Sequence, residues 1–493
     1  MLSVQFILIC ALVGRINSQG WSTGDNNNYN RNYGQNDHYS NNAFGFGGSG
    51  NTLEPFRMVY EWKQLDYNWF DEMTRTQSLN NKRYIPENNA LVGVKAWRDR
   101  IFVTIPRWKE GVPVTLASVP SQPSPNNMSP RLEAFPNWEM QEIGNCSALQ
   151  FVQSMEIDTE GRMWIIDTGR INLMSGSGQD SRCPPKLDFL EITIHRLLSE
   201  IHLTKTISEL LKCLTFLVIY LNDIVLDNSN GWYAYITDMG DDPGIIVYSL
   251  RDDRSWKVKD ATSMRSDPDT NFVSVNNIDI DLQRKNLDGI ALSPVMGYDR
   301  TLYYCPLGSY NLYSVPTSVL KNPNLSSDIS SSVKDLGRKQ SISDGMVMDN
   351  RGFLYYGLLG QNAVVSWDSN RGTRIDDGSR ILARDNNLLQ WPDSFAIDDS
   401  GNLYVVSNRL QNYITGRVNL NEPNYRILRA PLGIRSYMYP ADTSRRGGGF
   451  DGQSNGYDNY WGSGYNSYYY NFAGTPSVNV FLLVSFSFFL IVR

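Results

Sequence analysis

An all-β fold, a six-bladed β-propeller with unstructured N- and C-terminal tails, is what this sequence predicts, on three observations. A short apolar run, an Asp/Asn/Gly-rich turn and a second apolar run recur six times along the 493 residues. The copies are about 50–70 residues apart, room for a four-stranded sheet with its loops. Both runs of each copy are apolar at nearly every position, as in strands buried on both faces.

Taken in order, the first and weakest copy is GVKAWRDRIFVTIPR at 93–107, followed by MEIDTEGRMWIIDTG at 155–169. IVLDNSNGWYAYITDMG at 224–240 has a longer turn, and in IALSPVMGYDRTLYYCPLG at 290–308 Ser293 and Pro294 replace the acidic turn. MVMDNRGFLYYGLLG at 346–360 and FAIDDSGNLYVVSNR at 395–409 complete the set. Each reads as a β-hairpin: β-branched and aromatic runs joined by residues that tolerate a tight turn. A sandwich could hold such hairpins, but it gives no reason for six of them. The propeller accounts for residues 55–440.

The ends predict an extracellular protein. Residues 1–18 have an apolar core from Val4 to Val13 followed by smaller polar residues, the pattern of a secretory signal peptide cleaved near Ser18. Residues 19–54 are so rich in Asn and Gly, and so poor in aliphatics, that they cannot offset their ordering entropy and are expected to be disordered. Residues 441–476 form a similar but Tyr-rich tail, either a flexible stalk or a tract for oxidative cross-linking into an extracellular matrix. The apolar end at 477–493 is short for a membrane span, which needs about 20 residues. Preceded by Ala473, Gly474 and Thr475, it resembles a glycosylphosphatidylinositol attachment signal, that is, a lipid anchor. The competing expectation is a secreted chain with an apolar end. Sequons at Asn127, Asn145 and Asn324 fit N-glycosylation in a secretory compartment.

With 19% charged residues, a net charge of −6 and no basic run, the chain carries no electrostatic footprint for nucleic acid. Cys10 leaves with the signal peptide, so the mature cysteines are Cys146, Cys183, Cys213 and Cys305. Cys146 and Cys183 flank the second hairpin and are the natural disulfide pair, closing a loop worth roughly 4 kcal/mol in the chain-entropy model. Two unpaired thiols would be unusual outside the cytosol. Cys305, inside a predicted strand, reads as a free buried thiol.

The three histidines, His38, His195 and His202, all lie outside the six repeats. A Ser-His-Asp or Cys-His triad is therefore excluded from the propeller, as is the commonest transition-metal ligand. This argues against hydrolase chemistry and favours binding over catalysis. What remains is the rim where each inner strand enters the axial channel. There the sequence supplies Gln153 and Ser154, Asn222 and Asp223, Asp288, Asp344, and Asp393 and Ser394. Propeller strands point at a common centre, so these groups would converge on one opening. An oxygen-rich ring suits a cation, Ca²⁺ or the ammonium of an aromatic amine. The plainer reading is that Asp and Ser at strand starts only cap turns. The amine is the ligand assigned, with no resident metal and no cofactor.

The run RYIPENNALVGVKAWRDRIFVTIPRWKEGVPVTLASV at 83–119 resembles the insect yellow/major royal jelly protein family, in which Y-I-P-x-N precedes G-V and then F-V-T-x-P-R-W-x-x-G-x-P-x-T-L. RMWIIDTG at 162–169, LNDIVLD at 221–227, GIALSP at 289–294, RTLYYCPL at 300–307 and QNAVVSWD at 361–368 extend the resemblance over about residues 55–440. It implies a six-bladed propeller, which the hairpin count reaches independently. It also implies one of three roles. One is binding a catechol- or indole-derived amine in cuticle or eggshell pigmentation and sclerotisation. The others are dopachrome conversion by a tautomerase-like carboxylate, and a structural role in extracellular matrix.

Two departures from the family pattern stand out. A second cysteine pair found in many members is replaced by the Asn228–Gly231 turn and Ser366. Residues 189–220, FLEITIHRLLSEIHLTKTISELLKCLTFLVIY, contain no Gly, Pro, Asn or Asp, and their Leu/Ile spacing predicts a helix where a blade needs its outer strands. Translated intronic sequence is the first explanation and a helical insertion the second; a genuine insertion would leave the second blade incomplete and expose Cys213 and the run FLVIY.

Overall fold

A computed structural model describes residues 52–175, 180–181, 183–192, 203–207, 219–295, 299–324 and 328–442. Six four-stranded antiparallel sheets are arranged around one axis as a six-bladed propeller, each blade led at the axis by one of the six repeats. Blade 1 comprises Val94–Trp97, Arg100–Thr104, Leu116–Pro120 and Glu133–Ala134. The inner and second strands of the others are Val152–Ile157 and Arg162–Asp167 (blade 2), Leu221–Asp227 and Tyr233–Asp238 (blade 3), and Leu287–Leu292 and Thr301–Pro306 (blade 4). Met346–Met348 and Phe353–Leu358 begin blade 5, and Pro392–Ile397 and Asn402–Ser407 begin blade 6.

The Asp that opens each acidic turn has one job in four blades. In blade 5, Asp349 Oδ1 accepts from the backbone N–H groups of Arg351 and Phe353, while its Oδ2 accepts from the Tyr355 hydroxyl at 3.1 Å. Asp158 does the same with Trp164 Nε1 at 2.9 Å, and Asp227 and Asp398 with the hydroxyls of Tyr235 and Tyr404. One carboxylate thus closes the turn and fixes an aromatic ring of the second strand, which is why the repeat pairs an acidic turn with an aromatic strand.

The ring is closed by the N-terminal strand Arg57–Trp62, which pairs antiparallel with Tyr425–Pro431 as the outermost strand of blade 6. Its side chains also hold blade 1: the Tyr60 hydroxyl donates to Pro120 O at 2.9 Å and Trp62 Nε1 to Pro130 O at 2.8 Å. Between blades 1 and 2, the buried guanidinium of Arg107 donates to five backbone carbonyls, those of Val112, Pro113, Gln141, Leu149 and Gln150.

The helix expected over 189–220 is not what the described part of that segment forms. Lys186–Glu191 is the third strand of blade 2, paired with Arg162–Asp167, and Leu203–Ile207 pairs with it as the fourth. Blade 2 is therefore complete. Leu/Ile spacing suggested helical periodicity, but an unpaired second-strand edge demands a partner, and LTKTI alternates with β-branched residues that suit one. Ile219, from the FLVIY run, is buried in the core rather than exposed. Cys213, His195 and His202 lie outside the described residues.

Cys146 and Cys183 form a disulfide, joining the approach to the inner strand of blade 2 to its third strand, and Cys305 is a free buried thiol. Among the described residues no helix is long and apolar enough to cross a membrane. The expected signal peptide, Asn/Gly-rich segment, Tyr-rich tail and anchor signal fall outside the described residues, apart from a few at their inner edges.

Trp62 is fully buried where the ring closes. Replacing it with Ala is expected to cost about 3–5 kcal/mol in urea unfolding. A loss below about 1 kcal/mol would mean that this strand does not secure the closure.

Candidate functional site

The inner strands carry the site because of a local irregularity. Register breaks fall between Val152 and Met155, Leu221 and Ile224, Leu287 and Ile290, and Pro392 and Phe395. Such bulges re-aim side chains, and these contain Gln153-Ser154, Asn222-Asp223, Asp288-Gly289 and Asp393-Ser394. Asp344-Gly345 directly precedes the inner strand of blade 5. The glycines matter here: a Cβ on Gly289 would lie 2.3 Å from Asp344 O, and one on Gly345 would lie 2.5 Å from Asp393 O. Neighbouring blades touch backbone to backbone at the acidic positions.

The polar groups form one chain from blade to blade. Ser154 Oγ donates to Asp223 Oδ1 at 2.8 Å. Asn222 Nδ2 donates to Asp288 Oδ1, and Asp288 hydrogen-bonds to Asp344. Trp391 Nε1 donates to Asp344 Oδ2 at 2.7 Å, from a backbone held at φ 54°, sparsely populated for so bulky a residue. Asn408 Nδ2 donates to Asp393 Oδ2 at 2.6 Å and to Leu91 O at 2.9 Å. Tyr220 accepts from Trp108 Nε1 at 2.6 Å and donates to Gln153 Oε1 at 3.2 Å. Ser394 lines the channel beside them.

The sequence-derived ring residues are thus brought to one place. Those that sequence reasoning missed are Tyr220, which lay in the segment read as anomalous, Trp108 and Trp391, which come from connections outside the repeats, and Asn408, near the end of the sixth repeat. The W of P-R-W at 106–108 and the N-R pair that ends the sixth repeat were the available signals.

Burial and mutual repulsion set the electrostatics. Burial pushes Asp288 well above the ordinary carboxylate range, with Asp344 the next cause, and does the same for Asp393. Asp223 rises to about 6 through burial, tempered by the Lys95 ammonium and the Ser154 hydroxyl. Asp344 also rises to about 6 through burial, opposed by its hydrogen bonds from Trp391 and Asp288. Asp288 and Asp393 are buried, whereas Asp223, Asp344 and Ser394 keep partial exposure. Asp223 and Asp344 therefore lose their protons near pH 6, whereas Asp288 and Asp393 hold theirs to higher pH, and an entering cation would displace them.

Behind the ring the channel wall is apolar, formed by Ile224, Ile290, Met346, Val347 and Phe395. It ends at the Lys95–Glu156 ion pair and Tyr437. Tyr437 plugs the far end: its hydroxyl accepts from Leu226 N and donates to Glu156, and its carbonyl accepts from Arg300. Around the acidic mouth, Trp108 and Tyr413 pack 5.7 Å apart, with Lys109 Nζ 4.0 Å from the Tyr413 ring centre. A two-stranded ribbon, Phe272–Val275 with Ile278–Asp281, reaches from the entry to blade 4 toward blades 5 and 6, where Asn276 bonds to Asn362 and Asn386 O. Among the described residues, no three His, Cys, Asp or Glu side chains are grouped as a metal would require.

Of the three sequon asparagines, all exposed, Asn127 accepts from Ser129 N at 3.2 Å and Asn145 from Ser147 N at 3.1 Å. Ser326 of the third sequon lies outside the described residues.

Comparison with known proteins places these features in context. The family model described as major royal jelly protein matches residues 150–435. The chain is 30% identical to Protein yellow of Drosophila yakuba over 379 residues, 76% of this chain and 68% of that one. It is 29% identical to dopaminechrome tautomerase of Drosophila melanogaster over 406 residues, 78% and 84% of the two chains. Among solved structures, a luciferin-regenerating enzyme aligns with a TM-score of 0.40 at 14% identity, covering 71% of this chain and 94% of that one.

The raised carboxylates fix a pH dependence. Near pH 4 and below, native and unfolded chains both hold the Asp344 proton. From there to about pH 6 only the native chain keeps it, so stability falls with rising pH and stays low above that range. Asp344→Asn is expected to raise stability at pH 8 by about 1–2 kcal/mol, because Asp344 keeps some exposure and shares its proton with Asp288, and to change little at pH 4. Urea unfolding at the two pH values checks this. Equal effects at both would contradict it.

Proposed function

The chain belongs to the major royal jelly protein family, and from that premise we propose that it is a secreted protein that takes a small catechol- or indole-derived amine into its axial channel, in the service of cuticle or eggshell pigmentation and sclerotisation. One observation carries this reading: Asp223, Asp288, Asp344 and Asp393, from four successive blades, gather at the axis beside a narrow channel that Asp223 and an apolar wall line. A buried acidic ring attracts a cation strongly once its protons leave, and the apolar wall behind it suits a flat aromatic body. An ammonium then replaces the protons, and the aromatic ring lies against Ile224, Ile290 and Phe395.

A second reading has its own support. Asp223, at about 6, faces the channel with a hydroxyl partner, as a general base needs in order to take and return a proton near neutral pH. Dopachrome conversion requires such a transfer, and one relative carries the name dopaminechrome tautomerase. In this reading Asp223 moves the proton while Asp288 and Asp344 hold the charge of the substrate.

Calorimetric titration with dopamine at pH 7 is expected to be saturable, with affinity rising from pH 5 to pH 7 as the ring deprotonates. The double substitution Asp288→Asn with Asp344→Asn should weaken binding about tenfold or more. Unaltered affinity would remove the ring from the account. For the catalytic reading, loss of dopachrome absorbance should exceed the spontaneous rate, rise through about pH 6, and return to the spontaneous rate in Asp223→Asn. No acceleration by the unaltered protein would exclude it.

A further inference from the structure

We infer that the axial channel is entered from the face opposite its acidic ring, through a gate made of Tyr437 and the Lys95–Glu156 pair. The inference goes beyond the amine-binding reading: it concerns how the channel is reached, and holds for any small ligand.

Two cavities meet at that gate. One is the channel, lined by Asp223 and its apolar wall. The other is a cleft on the outer face, walled by inner-strand residues of blades 1, 2 and 6 and bordered by residues 436–439. Lys95, Glu156, Val347 and Tyr437 line both. The cleft opens to solvent, because Asp399 at its rim is exposed and Trp97, Thr159 and Tyr439 are half-buried. At the other end the acidic mouth is roofed. Trp108, Trp391 and Tyr413 are buried there in one apolar cluster with Val273, Val275 and Ile280, the buried face of the two-stranded ribbon.

The path of the chain across this face makes the gate a side chain. Residues 434–442 form a strap that its own backbone fastens over blades 3, 4 and 5. Tyr437 N donates to Met348 O at 3.1 Å and Asp442 N to Asn350 O at 2.9 Å, while the carbonyls of Tyr437 and Met438 accept from Arg300 and Asn228. Over blades 2 and 6 the strap is held by hydroxyls, that of Tyr437 on Glu156 at 3.2 Å and that of Tyr439 on Asp399. The strap therefore stays in place while the Tyr437 ring swings toward the cleft, giving up its hydroxyl's hydrogen bonds to Glu156 and from Leu226 N. Glu156 keeps its position through Lys95 Nζ at 3.0 Å and Ile157 N at 2.9 Å. A local opening of this kind costs far less than unfolding. A ligand entering this way passes the apolar wall first and meets the carboxylates at a blind end.

The test uses the full-length protein and needs no ligand. Ala291→Cys puts a thiol on the channel wall, while Cys305, buried and not part of that wall, reports exposure by general unfolding. Both are labelled with aminoethyl methanethiosulfonate and read separately by peptide mass. Position 291 should react about tenfold or more faster than Cys305. Tyr437→Phe, which keeps the ring and removes both hydrogen bonds, should speed that reaction about tenfold, and Ala96→Trp, which fills the cleft, should slow it by a similar factor. Should Ala291→Cys or Ala96→Trp not fold, Val225→Cys on the same wall and Thr159→Trp at the cleft rim take their places. Equal labelling of positions 291 and 305, or none at 291, overturns the inference, because the closed channel would then have no gate. Rapid labelling that filling the cleft does not slow also overturns it and puts the entrance at the acidic mouth. A rate unmoved by Tyr437→Phe removes Tyr437 as the gate. Labelling as expected in a protein that does not bind dopamine would remove the amine-binding reading and leave this one standing.

Discussion

Strands that converge on one axis cannot keep their first side chains apart, and much else in this molecule follows from that constraint. Asp288, Asp344 and Asp393 stand at equivalent places in successive blades, and the blades meet so closely that Gly289 and Gly345 have no room for a side chain. Asp288 and Asp344 are thereby hydrogen-bonded to each other, with Asp393 and Asp223 near enough to repel them, inside a shell of Trp108, Tyr220 and Trp391. No fold built for stability alone would gather them, because burial and like charge both oppose ionisation. The hydrogen bonds from Ser154, Asn222, Trp391 and Asn408 limit the conflict without removing it. A strained electrostatic site on an otherwise well-packed scaffold is the usual signature of function.

The architecture was legible because the signals that carried it are local. A turn aspartate that closes its own hairpin and fixes an aromatic residue in the next strand, as Asp349 does with Tyr355, leaves its pattern within one repeat. The ring was legible for a related reason: its members occupy equivalent positions just ahead of the repeats. The remainder of the site depends on contacts distant in sequence. Trp391 reaches Asp344 across 47 residues, and Tyr437 reaches Glu156 across 281. No periodicity announces such pairs. The Lys95–Glu156 pair was equally silent, since each residue is an ordinary charged residue in its own strand.

The segment at 189–220 failed for the opposite reason. Its local pattern was strong, and the surrounding sheet overrode it. Lys186–Glu191 and Leu203–Ile207 are strands because the second strand of blade 2 presents a ladder of donors and acceptors that only extended backbone can meet. Discounting that stretch also cost the reading Tyr220, whose hydroxyl joins Trp108 to Gln153 at the mouth of the channel.

Ring closure has a consequence in time. Glu61 and its partner Arg426 are 365 residues apart, so the closing strand waits for the chain's far end to be made. At about 5–20 residues per second, that delay is about 20–70 s. Throughout it, Arg57–Trp62 is an unpaired strand with a buried-type face, and the first five blades are an open arc. The molecule's most vulnerable moment is therefore its own synthesis, when one short segment must stay available and unclaimed until blade 6 arrives to receive it.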